Sequence, residues 1–359
     1  MASIALARSD VIVGVDTHKY QHVAVALDGL GGDLDHRSID ATNDGYAELV
    51  AWALGLGRVV AFGVEGCGSY GIGLARFLRR HGHKVIEVSR PPRKGERRLA
   101  GKSDLIDARH AASEVLAGNA TATPKSASGT IESIRLVKIV RDTAVKAHTA
   151  AMITLKATLV TAADELRGEL EPLSDFKLIT ACAALASNGD LTDPGDAMRH
   201  ALGALARRWL ELHEEIKIHS RQLKTLTKQA APGLVEAFGI GPDIAGELLA
   251  AAGDNTDRVR SEAAFAKLSG SCPIPAGSGK TNGRHRLNRG GNRQANAALY
   301  RYVIVRMRWH APTIAYVERR TAEGRSNKEI IRCLKRYVAR EVYALLPPPS
   351  TPTALEQAA

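Results

Sequence analysis

The chain has 359 residues, 45% of them hydrophobic, so it can bury a core in two or three units, and its four scattered cysteines without a C-x-x-C pair exclude a disulfide framework and a zinc ribbon. No apolar run is long enough to span a bilayer and no signal peptide is recognisable, so we expect a cytoplasmic protein without a membrane partner. The net charge of +11 is concentrated in residues 280–340, where 16 Lys and Arg face three Glu, and this predicts a nucleic-acid partner.

Residues 1–118 alternate strand-like and helical patterns, which predicts an α/β domain. Two apolar runs separated by a short polar turn predict a β-hairpin, and a helix is expected to begin at Ser103. The polar stretch 119–130 is predicted to be a linker. The predicted strands and helices are strands 11–17, 22–28, 58–65 and 83–90, and helices 71–82 and 103–118.

Residues 131–231 are dominated by two long helical patterns with apolar side chains at alternating steps of three and four. One pattern runs over 145–166 and the other over 202–226, and the segment 172–196 could turn the chain back between them. We therefore predict a helical hairpin of the coiled-coil type, either paired with itself or used to join subunits. His148 and His219 lie on these apolar seams and are interpreted as structural residues.

The region 232–345 is predicted to be a mainly helical C-terminal domain. It begins with two short helical patterns around a G-I-G-P turn, which is typical of a helix–hairpin–helix and can present backbone N–H groups to a phosphate. A glycine-rich basic loop and a basic helix from residue 292 follow. The Pro-rich tail 346–359 is predicted to be disordered.

Four carboxylates stand at positions suited to metal binding. Asp16 and Glu65 end two apolar strands, and Asp104 and Asp107 lie three apart, so one helix face presents both. Carboxylates at neighbouring strand ends, completed from a helix, could hold two Mg²⁺ ions that clamp a phosphodiester. The alternative is that Asp104 and Asp107 only complement the dipole of a first helical turn.

The stretch GSGKT at 277–281 matches only the end of a phosphate-binding P-loop, because Ile274 stands where the first glycine is required and two prolines precede it. Ser278 is instead a candidate nucleophile for a phosphodiester, since nearby cations could stabilise the charge of the transition state. From the residues alone, a loop serine that only contacts phosphate stays an equal alternative. The residues predicted to bind nucleic acid are Lys280, Arg284, Arg286, Arg289 and Arg293.

The motifs VGVDTHK, VEGCGSYG, KSDLIDARHAA, FGIGPDIAGELL and SGSCPIPAGSGKTNGRHRLNRGGNRQANAALY occur in an order that resembles the DEDD transposases of insertion sequences. The resemblance covers residues 11–345. It implies an RNase-H-like (RuvC-like) N-terminal domain with a metal tetrad, and a catalytic serine before glycine in the C-terminal domain. The residues that match these roles are Asp16, Glu65, Asp104 and Asp107 for Mg²⁺, and Ser278 for the nucleophile.

The resemblance also implies partners. They are donor and target DNA, a bridge RNA that guides the choice of sites, and other copies of the chain in a dimer or tetramer associated with the bacterial nucleoid. Two further hypotheses stay open from the sequence. A RuvC-like Holliday-junction nuclease would use only the four acids and yield hydrolysed products, whereas a non-catalytic nucleic-acid-binding protein would not depend on Asp16.

Overall fold

The computed structural model describes residues 7–89, 103–277, 285–288 and 290–348, except the side chain of Leu287. The chain divides into two compact units. Of the described residues, the first unit contains those up to Ala127 together with Asp254–Arg258 and Pro348. The second unit contains the stretches Ser128–Gly253 and Val259–Pro347. None of the helices in the described ranges combines the length and apolar character that a membrane span needs.

The first unit is built on a five-stranded mixed sheet in the order β3-β2-β1-β4-β5. The predicted hairpin is confirmed, because β1 and β2 are antiparallel and neighbours, and β3 extends the sheet antiparallel to β2. On the other side, β4 runs parallel to β1, and β5 runs parallel to β4. The strands are β1 (Asp10–Thr17), β2 (Gln21–Asp28), β3 (Asp33–Asp40), β4 (Arg58–Glu65) and β5 (Val85–Val88).

Helices cover both faces of this sheet. Alternate residues of β1 point to opposite faces, so Val13 packs with α1 and α2, whereas Ile12 packs with α3. Both faces of β1 are buried, which explains its continuous apolar sequence. The helices of the first unit are α1 (Asn43–Leu56), α2 (Ile72–Arg80) and α3 (Asp104–Leu116).

A pair of glycines lets α3 lie directly on the sheet. Gly14 of β1 and Gly63 of β4 are register partners on neighbouring parallel strands. A Cβ on Gly14 would stand 2.1 Å from the carbonyl oxygen of Ala108, and one on Gly63 would stand 2.8 Å from that of Ala111. The backbone of α3 therefore occupies the space where side chains at these two positions would be.

The second unit is almost entirely helical. Its small sheet is an antiparallel pair, β6 (Pro273–Pro275) and β7 (His285–Leu287). The predicted helix after residue 292 is confirmed, and Asn292 caps it by accepting hydrogen bonds from the N–H groups of Gln294 and Ala295. The helices are α4 (Thr130–Leu159), α5 (Asp164–Leu170), α6 (Asp175–Ala183), α7 (Pro194–Ala230), α8 (Pro232–Glu236), α9 (Pro242–Ala252), α10 (Glu262–Leu268), α11 (Arg293–Trp309), α12 (Ala311–Ala322) and α13 (Asn327–Ala344).

The helices α4 and α7 form the predicted hairpin within one chain. They are antiparallel, because Arg141 of α4 contacts Ser220 of α7, whereas the ring of the later His148 lies tilted against that of the earlier Trp209, with centroids 4.1 Å apart. This contact agrees with a structural role for His148. The predicted seam extends beyond the helix, since α4 ends at Leu159 and the chain turns before α5.

The predicted helix–hairpin–helix corresponds to α8 and α9. Gly239 between them has a φ of +93°, a conformation that glycine adopts without strain. The α9 side chains Leu248 and Leu249 are buried in a core that also includes Phe265 and Tyr302. The Pro-rich tail lies outside the described residues from position 349 onward.

Candidate active site

Asp16 and Glu65 lie side by side at the carboxyl ends of two neighbouring strands. Val15 of β1 pairs with Val64 of β4 in a parallel register, so the next residue on each strand is the acid. Both acids are buried. The Thr17 hydroxyl donates a hydrogen bond of 3.0 Å to the carbonyl oxygen of Glu65 and ties the two strand ends together.

The first turn of α3 brings Asp104 and Asp107 to the same end of the sheet. Asp107 is buried and Asp104 is partly exposed. Burial raises the pKa of Asp16 above its ordinary value; the charge of His18 opposes this, and those of Asp107 and Asp104 raise the pKa further. The three aspartates therefore act on one another electrostatically, and negative charge accumulates around Asp16.

His18 is a further member of the site that the sequence analysis missed. Its Nε2 atom lies 3.3 Å from Oδ2 of Asp16 and 3.4 Å from Oδ1 of Asp104. One ligand atom from each of these three residues lies within 4.8 Å of the other two. The sequence carried a signal for His18, because it lies two residues after Asp16, and residues two apart in an extended chain project to the same side.

The buried His22 supports His18 from the neighbouring strand. Its Nδ1 accepts a hydrogen bond of 3.3 Å from the backbone N–H of His18, and its ring stacks on Tyr46. Burial lowers the pKa of His22 below its ordinary value, which fits the neutral form that Nδ1 needs in order to accept a hydrogen bond. The hydrogen bond to His22 thereby holds His18, which follows the end of β1, next to the acids.

The residues at this end of the sheet fit a divalent cation. The Nε2 atom of His18 is shielded from solvent and has no hydrogen-bond partner among the described residues, although it faces two carboxylates. Carboxylate oxygens and an imidazole nitrogen are ligands that divalent cations accept, and a cation would also neutralise the accumulated negative charge. The donor set and its charge therefore both suit a metal ion.

The predicted nucleophile and three of the predicted basic residues, Ser278, Lys280, Arg284 and Arg289, lie outside the described residues. The other two basic residues, Arg286 on β7 and Arg293 at the start of α11, line one open cavity of about 710 Å³ in the second unit. Arg332 of α13 lines it as well and was not among the predicted binding residues. Tertiary packing thus brings cations from three elements to one surface.

Two family models match this chain. Residues 13–163 match the IS110 model of the DEDD transposases, and residues 233–318 match a model described as a transposase of the IS116/IS110/IS902 family. The chain belongs to the IS110 family of transposases. It is therefore a DNA transposase encoded by an insertion sequence, and the resemblance found in the sequence is confirmed.

Membership of the family implies that this transposase binds DNA and uses a divalent metal ion. All four predicted acids lie inside the first matched segment, and Ser278 lies inside the second. No curated protein matches the chain.

Proposed function

We propose that this transposase cuts and joins DNA strands through a phosphoserine intermediate on Ser278, with Mg²⁺ held by Asp16, Glu65, Asp104 and Asp107. The observation that carries the proposal is the convergence of these acids and His18 at one end of the sheet. The strand order and directions of that sheet support an RNase-H-like, RuvC-like domain. Two ions are expected, as in other sites that clamp a phosphodiester.

The chemistry conserves phosphodiester bonds. The Oγ atom of Ser278 attacks a DNA phosphorus and loses its proton, a P–O bond to Ser278 forms, and the bond to the DNA 3′ oxygen breaks to give a 3′-hydroxyl. A DNA 3′-hydroxyl then attacks the phosphoserine and restores the serine hydroxyl, so no ATP is needed. When bound, the divalent ions supply Lewis-acid charge at the phosphate oxygens.

The described surroundings of Ser278 support this role. In the sequence Ser278 lies between β6 and β7, and Pro275 of β6 pairs with His285 of β7. Arg286 follows directly on β7 and lines the basic cavity with Arg293 and Arg332. Arginine suits this position because its planar guanidinium can donate two hydrogen bonds to one phosphate.

We also propose that the active assembly is a dimer or tetramer. The exposed side of α4 carries a second pattern with steps of three and four, distinct from the side that packs on α7. It contains one charged residue, Lys146. Its members are Leu136, Ile139, Thr143, Lys146, Ala150, Ile153, Ala157 and Val160, the last at the helix end. Such a stripe suits a second copy of the same helix.

We further propose a division of the chain into functional regions, and an RNA that guides the choice of DNA sites. The regions are a RuvC-like domain 1–118, a linker 119–130, a helical oligomerisation region 131–231, a transposase domain 232–345 and a tail 346–359. A bridge RNA is proposed to select the donor and target sites by base pairing, so that the protein contacts mainly the nucleic-acid backbone.

The test is to incubate the protein with supercoiled donor DNA, Mg²⁺ and RNA transcribed from the flanking region, and to separate the products on a denaturing gel. We expect a covalent protein–DNA adduct that Ser278→Ala abolishes and that the control Ser133→Ala, an exposed serine of α4 outside both cavities, retains. Adducts that persist in Ser278→Ala contradict the proposed nucleophile. Hydrolysed DNA without an adduct identifies a RuvC-like nuclease, and activity that survives Asp16→Ala excludes the metal site.

A further inference from the structure

A second open cavity of about 820 Å³ in the second unit is lined by six arginines. We call it the arginine groove, and it lies between α12, α13 and the β6–β7 pair. Among the described residues that line it, Glu329 is the one acid. The arginines are Arg286, Arg320, Arg325, Arg332, Arg336 and Arg340.

The helix α13 forms one wall of the groove because of the periodicity of its sequence. Ile330, Leu334, Val338 and Val342 recur every four residues and are buried in the core of the second unit. The arginines 332, 336 and 340 recur with the same step on another side, and each step of four residues rises about 6 Å along a helix. The cations therefore form a row along the helix.

Ion pairs within the chain neutralise only part of this charge. Arg336 and Arg340 share the single carboxylate of Glu262, at 3.5 and 3.4 Å. In the part of the chain that the structure describes, neither Arg286 nor Arg332 forms an ion pair with a carboxylate. The groove thus keeps an excess of positive charge, which suits a polyanion.

Tyr337 adds an aromatic surface to this groove. This residue is 52% exposed on α13, between Arg336 and Arg340 in the sequence. Its ring meets that of Tyr316 edge to face, with centroids 5.8 Å apart. The guanidinium groups of Arg319 and Arg320 lie over the ring of Tyr316, so these cation–π contacts do not involve Tyr337.

We propose that the arginine groove binds single-stranded nucleic acid, with the arginines on its phosphates and the Tyr337 ring stacked on an unpaired base. A positive groove with an exposed aromatic ring is the combination that proteins use for single strands, because every base has a face that can stack. In a duplex those faces are covered by neighbouring base pairs, so a stacking ring would have no partner. The inference rests on the proposed function, in which strands are separated and exchanged.

The test is the binding of fluorescein-labelled 12-nucleotide single-stranded DNA, single-stranded RNA and duplex DNA to the full-length protein, measured by anisotropy. We expect Tyr337→Ala to weaken single-strand binding by about fivefold to a hundredfold, as the loss of one stacked base does, and to leave duplex binding unchanged. Tyr337→Trp should retain binding, and Tyr300→Ala, an exposed tyrosine of α11 outside the groove, is the control. The DNA and RNA arms identify which strand the groove takes.

The same binding assay, carried out at several salt concentrations, tests whether the arginines contact phosphates. Arg332→Ala should reduce the slope of log K against log salt by about 0.7 for single strands, the value for one phosphate contact, whereas the exposed α7 residue Arg208 should not change it on substitution by Ala. Equal loss of single-strand and duplex binding in Tyr337→Ala, or no loss at all, overturns the inference.

All variants are compared by circular dichroism and thermal midpoint, so a folding defect is recognised separately. Repeating the binding in Ser278→Ala separates the two proposals, because single-strand binding through Tyr337 does not need the nucleophile. If the protein binds single strands in this way but forms no adduct, the proposal for the arginine groove stands and the proposed phosphoserine intermediate is contradicted.

Discussion

Asp16 shows how a single strand end concentrates negative charge at the candidate metal site. Its carboxylate lies where both faces of β1 are covered, so water stabilises its charge poorly, and its pKa is raised by burial and by Asp107 and Asp104. The charge of His18 is the strongest influence that opposes this rise in pKa. A divalent cation among these residues would stabilise the ionised carboxylates far more than one imidazole does.

We expect His18→Ala to weaken binding of Mn²⁺ to the full-length protein by about tenfold or more, with a smaller change for Mg²⁺. The reason is that an imidazole nitrogen is a better ligand for transition metals than for magnesium. Titration calorimetry or the electron paramagnetic resonance signal of free Mn²⁺ measures this without turnover. His36→Ala, on the exposed strand β3, is the matched control. Unchanged Mn²⁺ affinity in His18→Ala would exclude His18 as a ligand.

At the scale of elements, the placement of α3 decides whether the four acids meet. The helix carries Asp104 and Asp107 in its first turn, and it is seated by contact of its backbone with Gly14 and Gly63. Both glycines stand two residues before a strand-end acid, so the same two strands position the helix and supply the other half of the site.

We therefore expect Gly14→Ala to destabilise the protein by about 1–3 kcal/mol, because its methyl group would overlap the Ala108 carbonyl oxygen and force α3 away from the sheet. Urea denaturation followed by circular dichroism measures the free energy of unfolding. Gly55→Ala is the control: it lies in α1 with no atom within 4 Å of the added methyl, so it should be neutral or stabilise by about 0.5–1 kcal/mol. Equal effects at both glycines would contradict this packing argument.

For the whole molecule, the exposed side of α4 carries a long row of mainly small and apolar side chains, interrupted by Lys146. Ile153 is 63% exposed and Val160 is 64% exposed. They follow Ile139 by two and three steps of seven residues, respectively. A row with this spacing buries its apolar surface when a second helix packs on it, which stabilises association.

Accordingly, Ile153→Arg should shift the protein from an oligomer toward the monomer, since it places a charge in the middle of the proposed interface. Light scattering after size-exclusion chromatography gives the mass at several protein concentrations. Leu191→Arg changes another exposed apolar residue, outside α4, and should leave the mass unchanged. A wild-type protein that is monomeric at all concentrations would refute the dimer or tetramer.

Local sequence patterns were enough to predict the strands and helices with strong signals and the residues that carry a family motif. The apolar runs of β1, β2 and β4 and the helices α3, α4, α7 and α11 were predictable because their burial leaves a periodic pattern. The strand β3 was missed, since DLDHRSID is an almost wholly exposed edge strand and carries no apolar alternation.

Which side chains meet follows from tertiary packing and could not be predicted from local patterns. The contact of His18 with Asp104, the seat of α3 on Gly14, and the convergence of Arg286 and Arg332 on one groove join residues from distant parts of the chain. Such contacts depend on strand register and helix packing, which no local pattern encodes. The residue types along the sequence therefore indicate the chemistry of this transposase, whereas the geometry of its candidate site arises when the sheet and helices pack.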